Sequence, residues 1–188
     1  MFHRRDLIST LLTPRSPDLL VVSGLGSSTW DVLSVEDHDA DFKFMGAMGQ
    51  AVPFALGLAL AKPNKSVLAI TGDGELLMQL GILATICTQN PTNLRILILD
   101  NEAYAETGGQ ATATAAGADI ADVAIACGFP FAVCVDEHIE ETSRAFLQAQ
   151  GPALMVAKVA IEKLPMAIPD SLDGVTAINR FRQAVADI

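Results

Sequence analysis

Six short apolar runs, separated by stretches of helical pattern, limit the possible folds of this chain more than any other feature. They read LLVVS at 19–23, FKFM at 42–45, SVLAI at 66–70, LRILIL at 94–99, FAVCV at 131–135 and ALMVAKV at 153–159. Hydrophobicity that is continuous rather than alternating requires both faces of a strand to be covered, which is the mark of a parallel sheet. Helical patterns occupy 49–61, 75–89, 119–127 and 138–149, the last bounded by Asp136 and by Gly151-Pro152, and the N-terminal stretch reads as a first helix. The alternation predicts an α/β fold, a doubly wound parallel sheet of about six strands flanked by helices. The domain is expected over 1–162. A proline-containing linker (KLPMAIPDSLDGV, 163–175) then leads to a terminal helix in which Ile178, Phe181 and Val185 share a face. That helix packs either on the domain or on another subunit.

Composition narrows the function classes. The longest apolar run, AVPFALGLALA at 51–61, is broken by Pro53 and Gly57 and is well short of the ~20 residues that span a bilayer. An acid and a proline interrupt the N-terminal stretch, and no cleavage site follows, so no signal peptide, no membrane and a cytoplasmic location are expected. A net charge of −10 argues against nucleic acid, which needs clustered Lys and Arg. The scattered acids read as a solvated surface. Cys87, Cys127 and Cys134 lie in apolar contexts without ligand spacing and are expected to be buried, reduced thiols. His3, His38 and His138 are far apart, and only His38 lies near a loop of interest.

In open α/β sheets, ligands bind at the carboxyl ends of the strands. Four predicted strand ends are rich in glycine and small hydroxyl residues: SGLGSST (23–29), MGAMGQAVP (45–53), TGDGE (71–75) and DNEAYAETGGQ (100–110). A helix starting at Gly74 or Glu75 offers free N–H groups and a positive dipole end to a phosphate. Asp73 beside it would repel that phosphate unless a cation intervened, and Mg²⁺ bound by carboxylate, a second protein oxygen and phosphate oxygens resolves the conflict. Parallel neighbours lie ~4.8 Å apart, so Asn101 on the next strand end is within reach of the same ion. Taken alone, GDG is also consistent with an ordinary turn.

The pairing of GDG at 72–74 with Asp100-Asn101, followed by Tyr104, resembles the thiamine diphosphate motif, in which the second segment usually reads NN. The resemblance implies that Asp73, Asn101 and the main-chain carbonyl of Ala103 hold Mg²⁺, with Asp100 as a departure from the pattern that makes the neighbourhood more negative. MGAMGQAVPFALGLALA resembles the family segment that precedes GDG. It implies Met48 as the apolar wedge that bends the cofactor, with Gly46 and Met48 backbone groups on the aminopyrimidine. GLGSST resembles the loop that touches the diphosphate, which implies Gly24, Ser27 and Ser28 there, alongside Gly72, Gly74 and Glu75. Together these matches cover roughly 18–160.

Enzymes of this family need a second, pyrimidine-binding domain carrying a glutamate that activates the cofactor ring. This chain has length for one domain, and Glu75, Glu102 and Glu106 lie on the metal side. The resemblance therefore implies a hetero-oligomer whose partner chain supplies that glutamate, with a homodimer as the form when isolated. DNEAYAETGGQATA most resembles sulfopyruvate and phosphonopyruvate decarboxylases, lyases that decarboxylate a 2-oxo acid to an aldehyde. In that reading Tyr104 and Gln110 belong to a loop at 104–116 over the reacting centre, and Gly108 and Gly109 make it a tight turn or a mobile lid. Two alternatives stand: a β subunit of a 2-oxoacid:ferredoxin oxidoreductase, disfavoured because no C-x-x-C occurs, and a non-catalytic cofactor-binding partner. A sulfonate or phosphonate substrate calls for a fixed Arg or Lys, and the nearest in sequence to a strand end is Lys43.

Overall fold

The computed structural model describes residues 1–13, 15–137 and 139–187, so His138 lies outside the described residues. The strands are β1 (Leu19–Ser23), β2 (Asp41–Lys43), β3 (Ser66–Gly72), β4 (Leu94–Asp100), β5 (Phe131–Val135) and β6 (Ala153–Lys158). They form one all-parallel sheet in the order β2-β1-β3-β4-β6-β5. The order reverses direction at β1, between β2 on one side and β3 on the other, and this opens a crevice at their carboxyl ends.

Successive residues of the central strands feed opposite cores, as the continuous apolar runs require. On β3, Val67 and Ala69 enter one layer, and Leu68 and Ile70 enter the other. The first layer is closed by α3 (Ala51–Ala61), α5 (Ile82–Gln89) and α6 (Ile120–Cys127), and the second by α1 (Arg4–Leu12), α2 (Ser27–Leu33) and α7 (Ile139–Gln148). Helix α6 follows its sequence signals: Asp119 caps it by accepting from the Asp122 N–H at 3.0 Å, and Gly128 ends it at φ +105°.

Two expectations need correction. The helix predicted over 75–89 is broken into α4 (Asp73–Leu77) and α5, because 78–82 turns through i→i+3 bonds such as Ile82 N–H to Gln79 O. A five-residue α4 carries little dipole, which weakens the argument that its start attracts phosphate. The thiols are not buried either: Cys134 is exposed on the edge strand β5, and Cys87 and Cys127 are only half-covered. Helix α2 was not expected and begins inside the glycine-serine stretch that reads as a loop.

The terminal helix, α8 (Gly174–Asp187), packs on the domain itself. Phe181 is buried against Phe42 and Phe54, with ring centroids 5.3 and 6.3 Å away. Arg180 reaches Asp37 and Asp39 at 3.2 and 2.6 Å. Ile178 stays half-exposed, so only part of the predicted apolar face is used. Among the described residues, no helix is long and apolar enough to cross a membrane. Phe181→Ala is expected to lower unfolding free energy by about 3 kcal/mol, because it empties a packed aromatic site. Urea unfolding should show a lower midpoint with an unchanged slope.

Candidate functional site

The carboxyl ends of β1, β3 and β4 meet around a cleft of about 850 Å³, counting the space at its open mouth. The turn after β1 contributes Leu25 to its wall, the start of α2 contributes Ser27 and Ser28, and the segment before α3 contributes Met48. Gly72 to Glu75 and the loop after β4 complete it, bringing Asp73, Asn101, Ala103 and Tyr104 to one place. Strands β3 and β4 run past the predicted apolar runs to Gly72 and Asp100, so the sheet itself carries these residues into the cleft.

Asp73, at 2% exposure, accepts hydrogen bonds from the hydroxyls of Thr112 (2.6 Å) and Thr114 (3.1 Å). Thr114 also lies 2.8 Å from Asp100 Oδ1 and 2.8 Å from the Thr112 hydroxyl. These four oxygen–oxygen contacts share only two hydroxyl protons. Burial raises the Asp73 pKa against the opposing Thr112 bond, and the charge of Asp100 raises it further. An oxygen cluster short of protons is satisfied either by protonating a carboxylate or by admitting a cation.

Asp100, the position where NN is usual, is paired inside the fold. The β4–β6 register sets it opposite Lys158, whose Nζ lies 2.8 Å from Oδ2 and 2.7 Å from Glu102 Oε1. Burial works against the Lys158 charge, but the two carboxylates outweigh it and its pKa is raised. The added acid is therefore neutralised by a lysine that arrives 58 residues later (158 − 100). Neither Lys158 nor the two threonines was singled out from the sequence. A charged residue ending an apolar strand run was a usable signal for Lys158 once β6 was known to lie beside β4.

Beyond Asp100 the chain turns sharply. Glu102 adopts φ +61°, and Asn101 Oδ1 accepts the Ala103 N–H at 3.0 Å. Ala103 then pairs with Ala111 in an isolated antiparallel bridge, through Tyr104 N–H to Gln110 O (2.8 Å) and Thr112 N–H to Glu102 O (3.1 Å). In that bridge the Ala103 carbonyl accepts no backbone hydrogen bond from the described residues. Gly109, at φ +70°, donates to the Tyr104 carbonyl and closes the loop in a turn. Gln110 contributes its carbonyl to the bridge, but its side chain is exposed over Gly108 and is not part of the cleft wall. Tyr104 does line the cleft, with its ring against Gly74: a Cβ there would lie 2.5 Å from Tyr104 Cε1. Glu106 accepts the Ser27 hydroxyl and covers Gly26, which ties the loop to the start of α2.

Glu75 is engaged within the protein. Its carboxylate accepts from Thr71 Oγ1 (2.7 Å), Leu25 N–H (3.1 Å) and Gly49 N–H (3.2 Å), and so holds the turns after β1 and β2 against β3. A Cβ on Gly24 would lie 2.0 Å from Glu75 Oε2, so Gly24 leaves room for this carboxylate. Burial raises the Glu75 pKa, and the three donors oppose the shift. Gly46 has open space where a side chain would stand, and Gly72 meets only Leu99 O at 3.9 Å. Met48 lines the cleft at 37% exposure. His3 pairs with Glu162, and the His38 ring accepts the Ala40 N–H. Lys43 is held by Asp37 at 2.7 Å beside a different cavity, under α8.

Residues 26–157 match the family described as thiamine pyrophosphate enzyme, C-terminal TPP binding domain. Sulfopyruvate decarboxylase subunit beta of Methanocaldococcus jannaschii is 36% identical over 150 residues, covering 79% of this chain and 78% of that protein. Phosphonopyruvate decarboxylase of Streptomyces viridochromogenes is 39% identical over 170 residues, covering 89% of this chain but only 40% of the longer protein. Benzoylformate decarboxylase of Polynucleobacter necessarius shares the fold at a TM-score of 0.71 and 22% identity, over 86% of this chain and 34% of that one. With its parallel sheet, its strand-end cleft and a family match across most of its length, this chain is a member of the thiamine pyrophosphate enzymes, carrying their C-terminal TPP-binding domain.

Proposed function

We propose that this chain is the thiamine diphosphate- and Mg²⁺-binding subunit of a non-oxidative 2-oxo acid decarboxylase, acting on a sulfopyruvate- or phosphonopyruvate-like substrate. A partner chain would contribute the pyrimidine-binding domain and its activating glutamate. The observation that carries this reading is the convergence of Asp73, Asn101 and Ala103 on one cleft. Asp73 sits in an oxygen cluster short of protons, and the Ala103 carbonyl is left out of the loop's backbone pairing. Among the described residues, no three His, Cys, Asp or Glu side chains form a metal cluster. A hard cation here would thus rely on one carboxylate, an amide oxygen, a carbonyl and the oxygens of its ligand, a donor set suited to Mg²⁺.

Bound thiamine diphosphate would supply the electron sink that lets carbon dioxide leave a 2-oxo acid. The chain's own residues would bind and orient. Asp73, Asn101 and the Ala103 carbonyl would hold the metal, and Ser27, Ser28, Gly72 and Gly74 would flank the diphosphate. Met48 and Gly46 would support the pyrimidine, while Glu75 and Gly24 shape the cradle from behind. Tyr104 would bound the reacting centre, with Gln110 on the outer side of the same loop. Exposed Met48 and Met78 in the cleft wall support a covering partner, since apolar groups gathered at a mouth mark an interaction surface. The relatives named as a subunit beta support it too.

Ligand binding and turnover test this reading, and unfolding tests the Asp100–Lys158 pair beside the site. Asp73→Ala should weaken thiamine diphosphate binding in Mg²⁺ by at least about tenfold in calorimetry, and equal affinity would remove Asp73 from the metal site. Lys158→Met, which leaves Asp100 buried without its partner, should cost about 3 kcal/mol of stability. Adding Asp100→Asn should recover most of that loss in urea unfolding, as a coupled pair requires. The purified chain should release no carbon dioxide from sulfopyruvate or phosphonopyruvate until the partner chain is added, and turnover by the single chain would refute the split site.

A further inference from the structure

We propose that Arg4 binds a tetrahedral oxyanion, of phosphate, phosphonate or sulfonate type, within the cleft; this rests on the functional reading above. Among the described residues, Arg4 is the only Lys or Arg in the cleft wall. It comes from α1, far in sequence from the strand ends, and is 3% exposed. The guanidinium is held rigidly: Nε donates to Asp31 Oδ2 at 2.8 Å and Nη1 to the Glu162 carbonyl at 3.3 Å. Its Nη2 has no hydrogen-bond acceptor among the described residues, and it is not among the sealed, partnerless buried atoms.

The surroundings fit a fixed cation rather than a merely structural one. Asp31, 1% exposed, is one turn beyond Ser27 and Ser28 on the same side of α2, so it brings Arg4 to the face of α2 that borders the cleft. Asp31 also accepts from Arg5 Nε at 3.0 Å, so its charge is balanced even when Arg4 turns part of its own charge to a ligand. The other basic candidates are engaged elsewhere, Lys158 on Asp100 and Glu102 and Lys43 on Asp37. The cleft is otherwise acidic, with Asp73 and Glu75 in its wall. A buried, pre-oriented guanidinium with an open N–H edge matches a tetrahedral oxyanion better than a carboxamide or hydroxyl ligand. That oxyanion is either the diphosphate of the cofactor or the phosphonate or sulfonate of the substrate.

Calorimetry in Mg²⁺ on the full chain, with thiamine diphosphate, inorganic pyrophosphate, 3-phosphonopropionate and 3-sulfopropionate as separate probes, decides the matter. Arg4→Met should weaken at least one probe by about tenfold or more, while Arg5→Met, which loses a bond to the same Asp31, stays within about twofold. Loss confined to thiamine diphosphate and pyrophosphate identifies the cofactor end, and loss confined to the phosphonate and sulfonate identifies the substrate end. If Arg4→Met does not fold, Arg4→Lys takes its place: it keeps the charge but not the fork, and should lose several-fold. Unchanged affinity for all four probes in a folded Arg4 variant overturns the proposal, as does an equal loss in Arg5→Met. Wild-type protein that binds pyrophosphate through Arg4 but not thiamine diphosphate would refute the functional reading alone; binding of none of the four would refute both.

Discussion

A sheet whose strands all run parallel delivers every strand's carboxyl end to one edge, and the rest of this structure depends on that constraint. Each strand must return through a covered crossover, so helices close both faces and the central strands become apolar throughout. Polar chemistry is then confined to the one edge where strands give way to turns. Because the order reverses at β1, the ends of β1 and β3 part there, and β4 adds its loop beside them. The cleft occupies that gap, and residues from five separated sequence stretches reach it, among them the irregular segment that follows β4.

The second constraint is electrostatic. Three carboxylates, Asp73, Glu75 and Asp100, are almost wholly buried within a few residues of that edge. Burying an ionised carboxylate is costly unless it is paired or hydrogen-bonded, and each of the three is accommodated differently. Asp100 has a lysine from the neighbouring strand. Glu75 has two backbone N–H groups and a hydroxyl, and in return ties the turns after β1 and β2 to β3. Asp73 has two threonine hydroxyls, of which Thr114 is shared with Asp100, and this leaves it the least satisfied and the most open to a cation. The difference follows from position: Asp73 lines the cleft together with Asn101 and Ala103, whose carbonyl lies outside the backbone pairing, whereas the carboxylate of Glu75, also in the wall, is taken up by Thr71, Leu25 and Gly49.

Much of the architecture was legible because it rests on local periodicity. The runs at 19–23 and 131–135 coincide with β1 and β5, and the other four strands fall within two residues of prediction at either end. The break between α4 and α5 was not legible, since LLMQLGILATIC is a good helical pattern and only a series of tight i→i+3 turns interrupts it. Helix α2 was hidden by glycines and serines that read as a loop. Glycine placement pointed to strand ends that line the cleft, but the reasons differ from those expected: Gly74 makes room for Tyr104 and Gly24 for Glu75. Gln110, expected over the reacting centre, faces outward because the Ala103–Ala111 bridge fixes its backbone and directs the side chain toward Gly108.

The sequence by itself determined the α/β class, the strand runs, and the GDG and DN segments that mark the family, because each is encoded within a window of a few residues. Tertiary structure alone decided which distant groups complete the site: Lys158 beside Asp100, Thr112 and Thr114 on Asp73, and Arg4 in the cleft wall. Those pairs lie 39, 41 and 58 positions apart, and Arg4 precedes Leu25, the next residue of the wall, by 21. They depend on strand order and register, which periodicity cannot reveal, since an apolar run looks the same whichever neighbour it pairs with.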